Sequence, residues 1–298
     1  MSSRCDAPAR VAGTPGAVSA AHPEILRLGA RVESLDVPGP HGTVRWQRLG
    51  SGEPLVLLHG GHGSWLHWIR NIEALARRYT VWVPNMPGYL NSADVPPADG
   101  DDDLAPLLDA LRTSLDHAVG PDTPIGLAGF SFGGLVAARL AAQRPRVTRL
   151  ALMGSGGHGT PRPRTLDLRQ WRSAGSATQR RDILRHNLNE LMLYRHDPDE
   201  LALDVHEISC LATRFRSRTA SQGDGMVRAL RQYAGPVLLI WGEQDVTARA
   251  RQVAPAIAAQ GAGREWRVVP DAGHWVQYEG AAVVNDLLSR WFAGQPLP

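Results

Sequence analysis

Gly129-Phe130-Ser131-Phe132-Gly133-Gly134 stands between an apolar run, Ile125-Gly126-Leu127-Ala128, and an alanine-rich run, Leu135-Val136-Ala137-Ala138-Arg139-Leu140-Ala141-Ala142. The first run reads as a buried strand and the second as a helix, so the residues between them make a sharp turn with Ser131 at its apex. Glycines two positions either side of the serine leave room for so tight a reversal. A serine held there points its hydroxyl out of the fold. The pattern acquires meaning from context: further strand–turn–helix units, and partners for the hydroxyl.

The units are present on both sides. Residues 31–37 and 43–49 alternate in strand fashion around the turn Pro38-Gly39-Pro40-His41-Gly42. Short apolar runs at 54–58, 79–83, 147–153, 236–241 and 265–269 read as further strands, the central ones apolar throughout as strands buried on both faces should be. Helices are expected over 65–78, with Ser64 as N-cap, over 101–117, and over 281–292. Strands alternating with helices imply an α/β fold, a mostly parallel central sheet with helices on both faces. The alternation stops after Met153. Residues 155–233 hold a glycine- and proline-rich loop and helical segments around 166–172, 178–194 and 199–214. They read as a helical cap inserted before the last two strands. The expected organisation is a disordered tail over 1–22, a core of 23–154 and 234–298, and a cap of 155–233.

At 298 residues the chain can bury a sizeable interior. Its formal charge is +3, and every basic residue other than histidine is arginine. No basic run is interleaved with aromatics, so nucleic acid is not an expected partner. Cys5 and Cys210 are the only cysteines. They form neither a disulfide framework nor a metal-ligand cluster, and no metal or cofactor is expected. No apolar stretch is long enough to span a membrane. Ala17-Val18-Ser19-Ala20-Ala21 resembles a signal-peptidase site, but Pro8, Gly13, Pro15 and Gly16 interrupt any apolar segment ahead of it. A cytoplasmic location is the expectation, as a monomer or homo-oligomer.

In sheets of this kind ligands bind beyond the carboxyl ends of the strands. Those ends carry, in order, His59-Gly60-Gly61-His62-Gly63, then Ser131, then Gly242-Glu243-Gln244-Asp245, then Pro270-Asp271-Ala272-Gly273-His274-Trp275. A serine hydroxyl becomes a useful nucleophile when an imidazole takes its proton, and the imidazole in turn needs a carboxylate to orient it. Backbone N–H groups must then hold the oxyanion. Asp245 and Glu243 are both candidates for the acid. Asp271 reads as a turn former and His59 as a loop-shaping residue.

The chain resembles the α/β-hydrolases over about residues 30–154 and 234–295. The resemblance implies Ser131 as nucleophile, Asp245 as acid, His274 as base, and the N–H groups of Phe132 and Gly61 as the oxyanion hole. Asn85-Met86-Pro87-Gly88-Tyr89-Leu90-Asn91-Ser92 is similar to the family's Asp-x-Pro-Gly-x-Gly-x-Ser loop, with Asn85 for the aspartate and Leu90 for the second glycine. The lid and the His274-Trp275 pair also resemble the C–C bond hydrolases that cleave ring-fission products. Those typically carry asparagine before the nucleophile, where Phe130 stands here, so a carboxylesterase is expected ahead of a C–C hydrolase. A serine at the elbow sets aside haloalkane dehalogenases and epoxide hydrolases, which use aspartate; acyltransferase or perhydrolase activity and a non-catalytic binding module are the remaining readings. The expected substrate is a small molecule with an apolar or aromatic portion. Gly60, His62, Trp65, Phe130, His158, Arg214 and Trp275 are its expected pocket, and Arg214, Arg216 and Arg218, the densest arginine cluster of the cap, are candidates to meet a substrate carboxylate.

Overall fold

The computed structural model describes residues 21–98, 103–194 and 197–298. Most of the tail expected over 1–22, with Cys5, and the first two residues of the helix expected over 101–117 lie outside the described residues.

Eight strands form one sheet: β1 (Glu33–Gly39), β2 (Gly42–Leu49), β3 (Glu53–Leu58), β4 (Tyr79–Pro84), β5 (Ile125–Phe130), β6 (Val147–Met153), β7 (Val237–Gly242) and β8 (Arg264–Val269). Their spatial order is β1-β2-β4-β3-β5-β6-β7-β8. β1–β2 and β2–β4 are antiparallel, and every other pairing is parallel. Gly39 and Gly42 still pair, so the hairpin turn is only Pro40-His41, tighter than the five-residue turn read from sequence. Gly42 meets this with φ 121°.

The central strands divide their side chains between two apolar layers. Val56 and Leu58 of β3, Leu127 of β5, Leu150 and Leu152 of β6, and Val237, Leu239 and Trp241 of β7 enter one layer. Leu55 and Leu57, Ala128 and Phe130, Ala151 and Met153, and Leu238 and Ile240 enter the other. This is the period-two alternation of a strand with a core on each face. At roughly 2 kcal/mol for each fully buried large aliphatic side chain, these strands carry much of the folding free energy.

The described helices are α1 (Pro23–Gly29), α2 (Ile72–Leu75), α3 (Ala105–Val119), α4 (Phe132–Gln143), α5 (Ala177–Leu191), α6 (Glu200–Leu211), α7 (Ser217–Ala220), α8 (Gly225–Leu230), α9 (Ala250–Ala258), α10 (Val276–Glu279) and α11 (Ala281–Phe292). Several departures from the sequence reading have physical causes. The helix expected over 65–78 is a 3-10 turn, Trp65–Trp68, followed by the single turn of α2. Trp65 to Ile69 are all buried, so this segment has no solvent face for a longer helix to present. Ser64 does cap it, accepting from the Leu66 N–H. Residues 166–172 are not helical. Instead, Asn187 of α5 accepts from the Arg169 N–H at 2.8 Å and donates to the Arg169 carbonyl at 2.9 Å, holding the strip extended along α5. α6 stops at Leu211 because Thr213 pairs as a β-bridge with Tyr89. At the amino end, Ala21 and His22 are docked rather than free: the His22 N–H donates to Asp204 at 2.9 Å.

α5 to α8 lie between β6 and β7 in the chain. α8 packs on α4, and the stretch from Ala212 to Ser217 lies against the loop after β4. The Leu90 N–H donates to Ala212, and the Arg214 and Phe215 N–H groups donate to Gly88.

Candidate active site

Two glycines hold the turn after β5. A methyl on Gly129 would collide with the Gly133 carbonyl, and one on Gly133 would collide with the His59 carbonyl. Between them Ser131 adopts φ 53° and ψ −117°, a region side-chain-bearing residues rarely occupy. The strain is held by hydrogen bonds at both ends: the Ser131 N–H donates to Met153, and its carbonyl accepts from Gly134 and Gly156.

The hydroxyl so placed is 2.9 Å from His274 Nε2, and His274 Nδ1 is 2.9 Å from Asp245 Oδ2. The carboxylate fixes the tautomer: Nδ1–H donates to Asp245, leaving Nε2 to accept from the serine. Asp245 and His274 are both buried, whereas Ser131 is partly open to solvent. The second oxygen of Asp245 accepts from both the N–H and the hydroxyl of Thr247, each at 2.7 Å. Gly154, with φ 48°, supports the pair from beneath; a methyl there would stand 3.1 Å from both Asp245 Oδ2 and His274 Nδ1. Glu243, the rival acid, instead pairs with Arg251 on the surface.

As the first residue of α4, Phe132 aims its N–H out of the helix end. Facing it is the loop after β3, which two buried histidines hold in shape. His59 Nε2 accepts from the Met86 N–H at 2.9 Å, and its Nδ1–H donates to the Gly60 carbonyl at 2.9 Å. Both ring nitrogens are used, and burial lowers the His59 pKa to about 4, so the ring is neutral at pH 7. His67 Nδ1 accepts from the Gly60 N–H at 3.2 Å, and burial holds His67 well below the ordinary histidine range. The Gly60 N–H is thereby spent on structure, and the next residue, Gly61, sits close to Phe132: a methyl on it would stand 3.7 Å from Phe132 Cβ. A hydroxyl, an imidazole and a carboxylate joined by hydrogen bonds can together activate a nucleophile for acyl transfer.

An alpha/beta hydrolase family model matches residues 55–287, most of the chain. The chain belongs to the alpha/beta hydrolase family. It is 32% identical over 256 residues to the dihydrolipoyllysine-residue acetyltransferase component of the acetoin cleaving system of Pseudomonas putida, covering 81% of this chain but only 64% of that protein. It is 30% identical over 262 residues to 2-hydroxymuconate semialdehyde hydrolase of Pseudomonas sp. strain CF600, covering 82% of this chain and 88% of the relative. Among solved structures, a carboxylesterase from Bacillus subtilis superposes with a TM-score of 0.73 at 18% identity, covering 92% of this chain and 95% of that one.

The remaining pocket expectations for this α/β hydrolase divide. Trp65, Phe130 and Trp275 are buried in the apolar layer beneath the site rather than lining its mouth. Phe130 packs its ring 5.0 Å from that of His274, and Trp275 donates its indole N–H to the His67 carbonyl. Arg214 is turned away from the serine. Its guanidinium pairs with Asp94 and donates to the carbonyls of Leu90, Ser92 and Ala212. Nothing in the sequence revealed that partner, because Asp94 lies 120 positions away. His62 and His158 are partly exposed near the site. Burial lowers both pKa values; Arg172 adds to the effect at His62, and Asp245 opposes it at His158. Thr247 is the functional-site residue the sequence reading missed. A hydroxyl two positions after a candidate acid was the available signal.

Proposed function

We propose that this hydrolase cleaves a small carboxylic ester through an acyl-enzyme intermediate. Ser131 attacks the acyl carbon as His274 Nε2 takes its proton, and the resulting imidazolium is stabilised by Asp245. The oxyanion accepts hydrogen bonds from the N–H groups of Phe132 and Gly61. The imidazolium then gives its proton to the leaving alcohol, and water, deprotonated by the same imidazole, releases the acid. The unbroken Ser131–His274–Asp245 hydrogen-bond chain carries this reading. The residues between β6 and β7 would act as the lid over the acyl pocket.

Phe130 favours ester over carbon–carbon cleavage: the position before the nucleophile offers an apolar ring packed on His274, and no polar side chain with which to handle a substrate enol. A vinylogous diketone hydrolase is the second reading, favoured by the relative named 2-hydroxymuconate semialdehyde hydrolase.

A panel of 4-nitrophenyl esters of increasing acyl length, assayed beside a vinylogous 1,5-diketone, tests both. Ester turnover should fall at least about a thousandfold in Ser131→Ala. Turnover undiminished in that variant would remove Ser131 from the mechanism, and activity confined to the diketone would replace the first reading with the second.

A further inference from the structure

The segment after β6 borders a cavity of about 560 Å³. Arg162, Arg164 and Arg218 line it, and Leu166 and Leu168 supply an apolar wall. Arg164 is committed to Glu190. Among the described residues, Arg162 and Arg218 have no acidic side chain within ion-pair distance, although most arginines of this segment do. The two guanidiniums are near enough to feel each other. The Arg162 pKa is lowered by burial and then by the charge of Arg218, with Asp245 opposing. His158 accepts from the Thr160 N–H at 3.2 Å; burial lowers its pKa, with Asp245 opposing and His274 and Arg162 adding to the effect. Arg218 follows Ser217, whose hydroxyl lies against Gly61, so this wall of the cavity begins beside the loop after β3.

Two like charges brought together in a cleft, with no carboxylate in ion-pair contact, repel each other until an anion is placed between them. Planar guanidiniums suit an oxyanion group, which each can meet with two N–H donors. Leu166 and Leu168 suit the apolar chain that would join that group to the reacting centre.

We propose that Arg162 and Arg218 form an anion-binding subsite beside Ser131–His274–Asp245, which selects substrates bearing a carboxylate or phosphate on an apolar arm. The proposal rests on the hydrolase reading above and deepens it to a substrate class.

The test compares 4-nitrophenyl butyrate with 4-nitrophenyl hydrogen glutarate, a neutral and an anionic ester of similar reach. Wild-type protein, Arg162→Gln, Arg218→Gln and the remote control Arg290→Gln are assayed. Titration calorimetry with glutarate and with inorganic phosphate runs beside the kinetics. The wild type should favour the anionic ester in kcat/KM. Arg162→Gln and Arg218→Gln should each lose about tenfold on it and less than about twofold on the butyrate, with Arg290→Gln unchanged on both. Calorimetric binding that both cavity variants abolish supports the subsite, and the anion that binds identifies the group, carboxylate or phosphate. Equal use of the two esters with neither anion bound overturns the proposal, as do variants that slow both esters alike. Arginine-dependent anion binding without turnover of either ester would overturn the ester-hydrolase reading and leave the subsite standing.

Discussion

Ser131 holds its strained backbone because the molecule leaves no alternative: Gly129 and Gly133 are pressed against carbonyls, and the Ser131 peptide is tied to Met153, Gly134 and Gly156. The same closeness governs Gly61. A methyl there would strike the Ser217 hydroxyl and yet stand 3.4 Å from Ser217 Cβ, an ordinary contact. Gly61→Ala should therefore displace the Gly61 N–H and lower kcat about a hundredfold, in the range for loss of one oxyanion donor. Ser217→Ala should restore most of that loss in the double variant, because it removes the one atom in the way. Steady-state kinetics on the four proteins of this cycle measure the coupling, and strictly additive effects would contradict the steric account. Serine, acid and histidine were legible because each follows an apolar strand in the expected order. Thr247 and Ser217 were not legible. Their roles depend on which oxygen or N–H they stand beside, and sequence spacing carries no trace of that.

Between residues and the molecule stand elements that owe their shape to side chains from elsewhere. The strip 166–172 was read as helical, yet Asn187 holds it extended by pairing with both backbone polar groups of Arg169. Two such hydrogen bonds contribute on the order of 2 kcal/mol together. In Asn187→Ala, amide hydrogen exchange across 165–170 should quicken more than tenfold, while β5 and β7 remain protected. Unchanged exchange in the strip would mean that something other than Asn187 holds it. The central strands were read correctly because their apolar runs have a single explanation. α7 and α8 were missed because helices of one or two turns show too little periodicity to register. The run 65–78 misled for the opposite reason: its apolar content was real, but burial on every side broke it into two turns.

At the scale of the whole molecule, three of the buried histidines among the described residues are kept neutral by burial and set an acid limit. Burial lowers the pKa of His59 to about 4 and that of His206 to about 3, and it holds His67 well below the ordinary value. In the unfolded chain all three titrate near 6.5. The unfolded state therefore takes up protons first, so the stability these rings contribute is fully present above about pH 6.5. It is lost as pH falls from there towards the folded values. Each ring removes about 1.4 kcal/mol per pH unit within that window. Urea unfolding should give a nearly constant free energy between pH 7 and 8 and a fall of several kcal/mol by pH 5.5. His206→Leu, which removes one of the three groups, should shallow that fall by about a third. A flat profile down to pH 5 would show that the rings are not held neutral.

The two apolar layers have a consequence for how the chain finds its alignment. In a sheet with one wet face, a strand that slips by one residue exposes its apolar side chains and is rejected. Here a slip of β5 or β6 would move apolar side chains from one dry layer to another, so polarity offers little correction. Size must supply it. Ala128 pairs with Ala151 on one face, while Leu127 pairs with Leu150 on the other. A one-place error would force a leucine into the space of the Ala128–Ala151 pair and leave a void where Leu127 and Leu150 meet. Alignment in the centre of this sheet is thus proofread by volume, and the positions of Ser131 and Gly154 at the ends of those strands inherit their accuracy from that count of methyl groups.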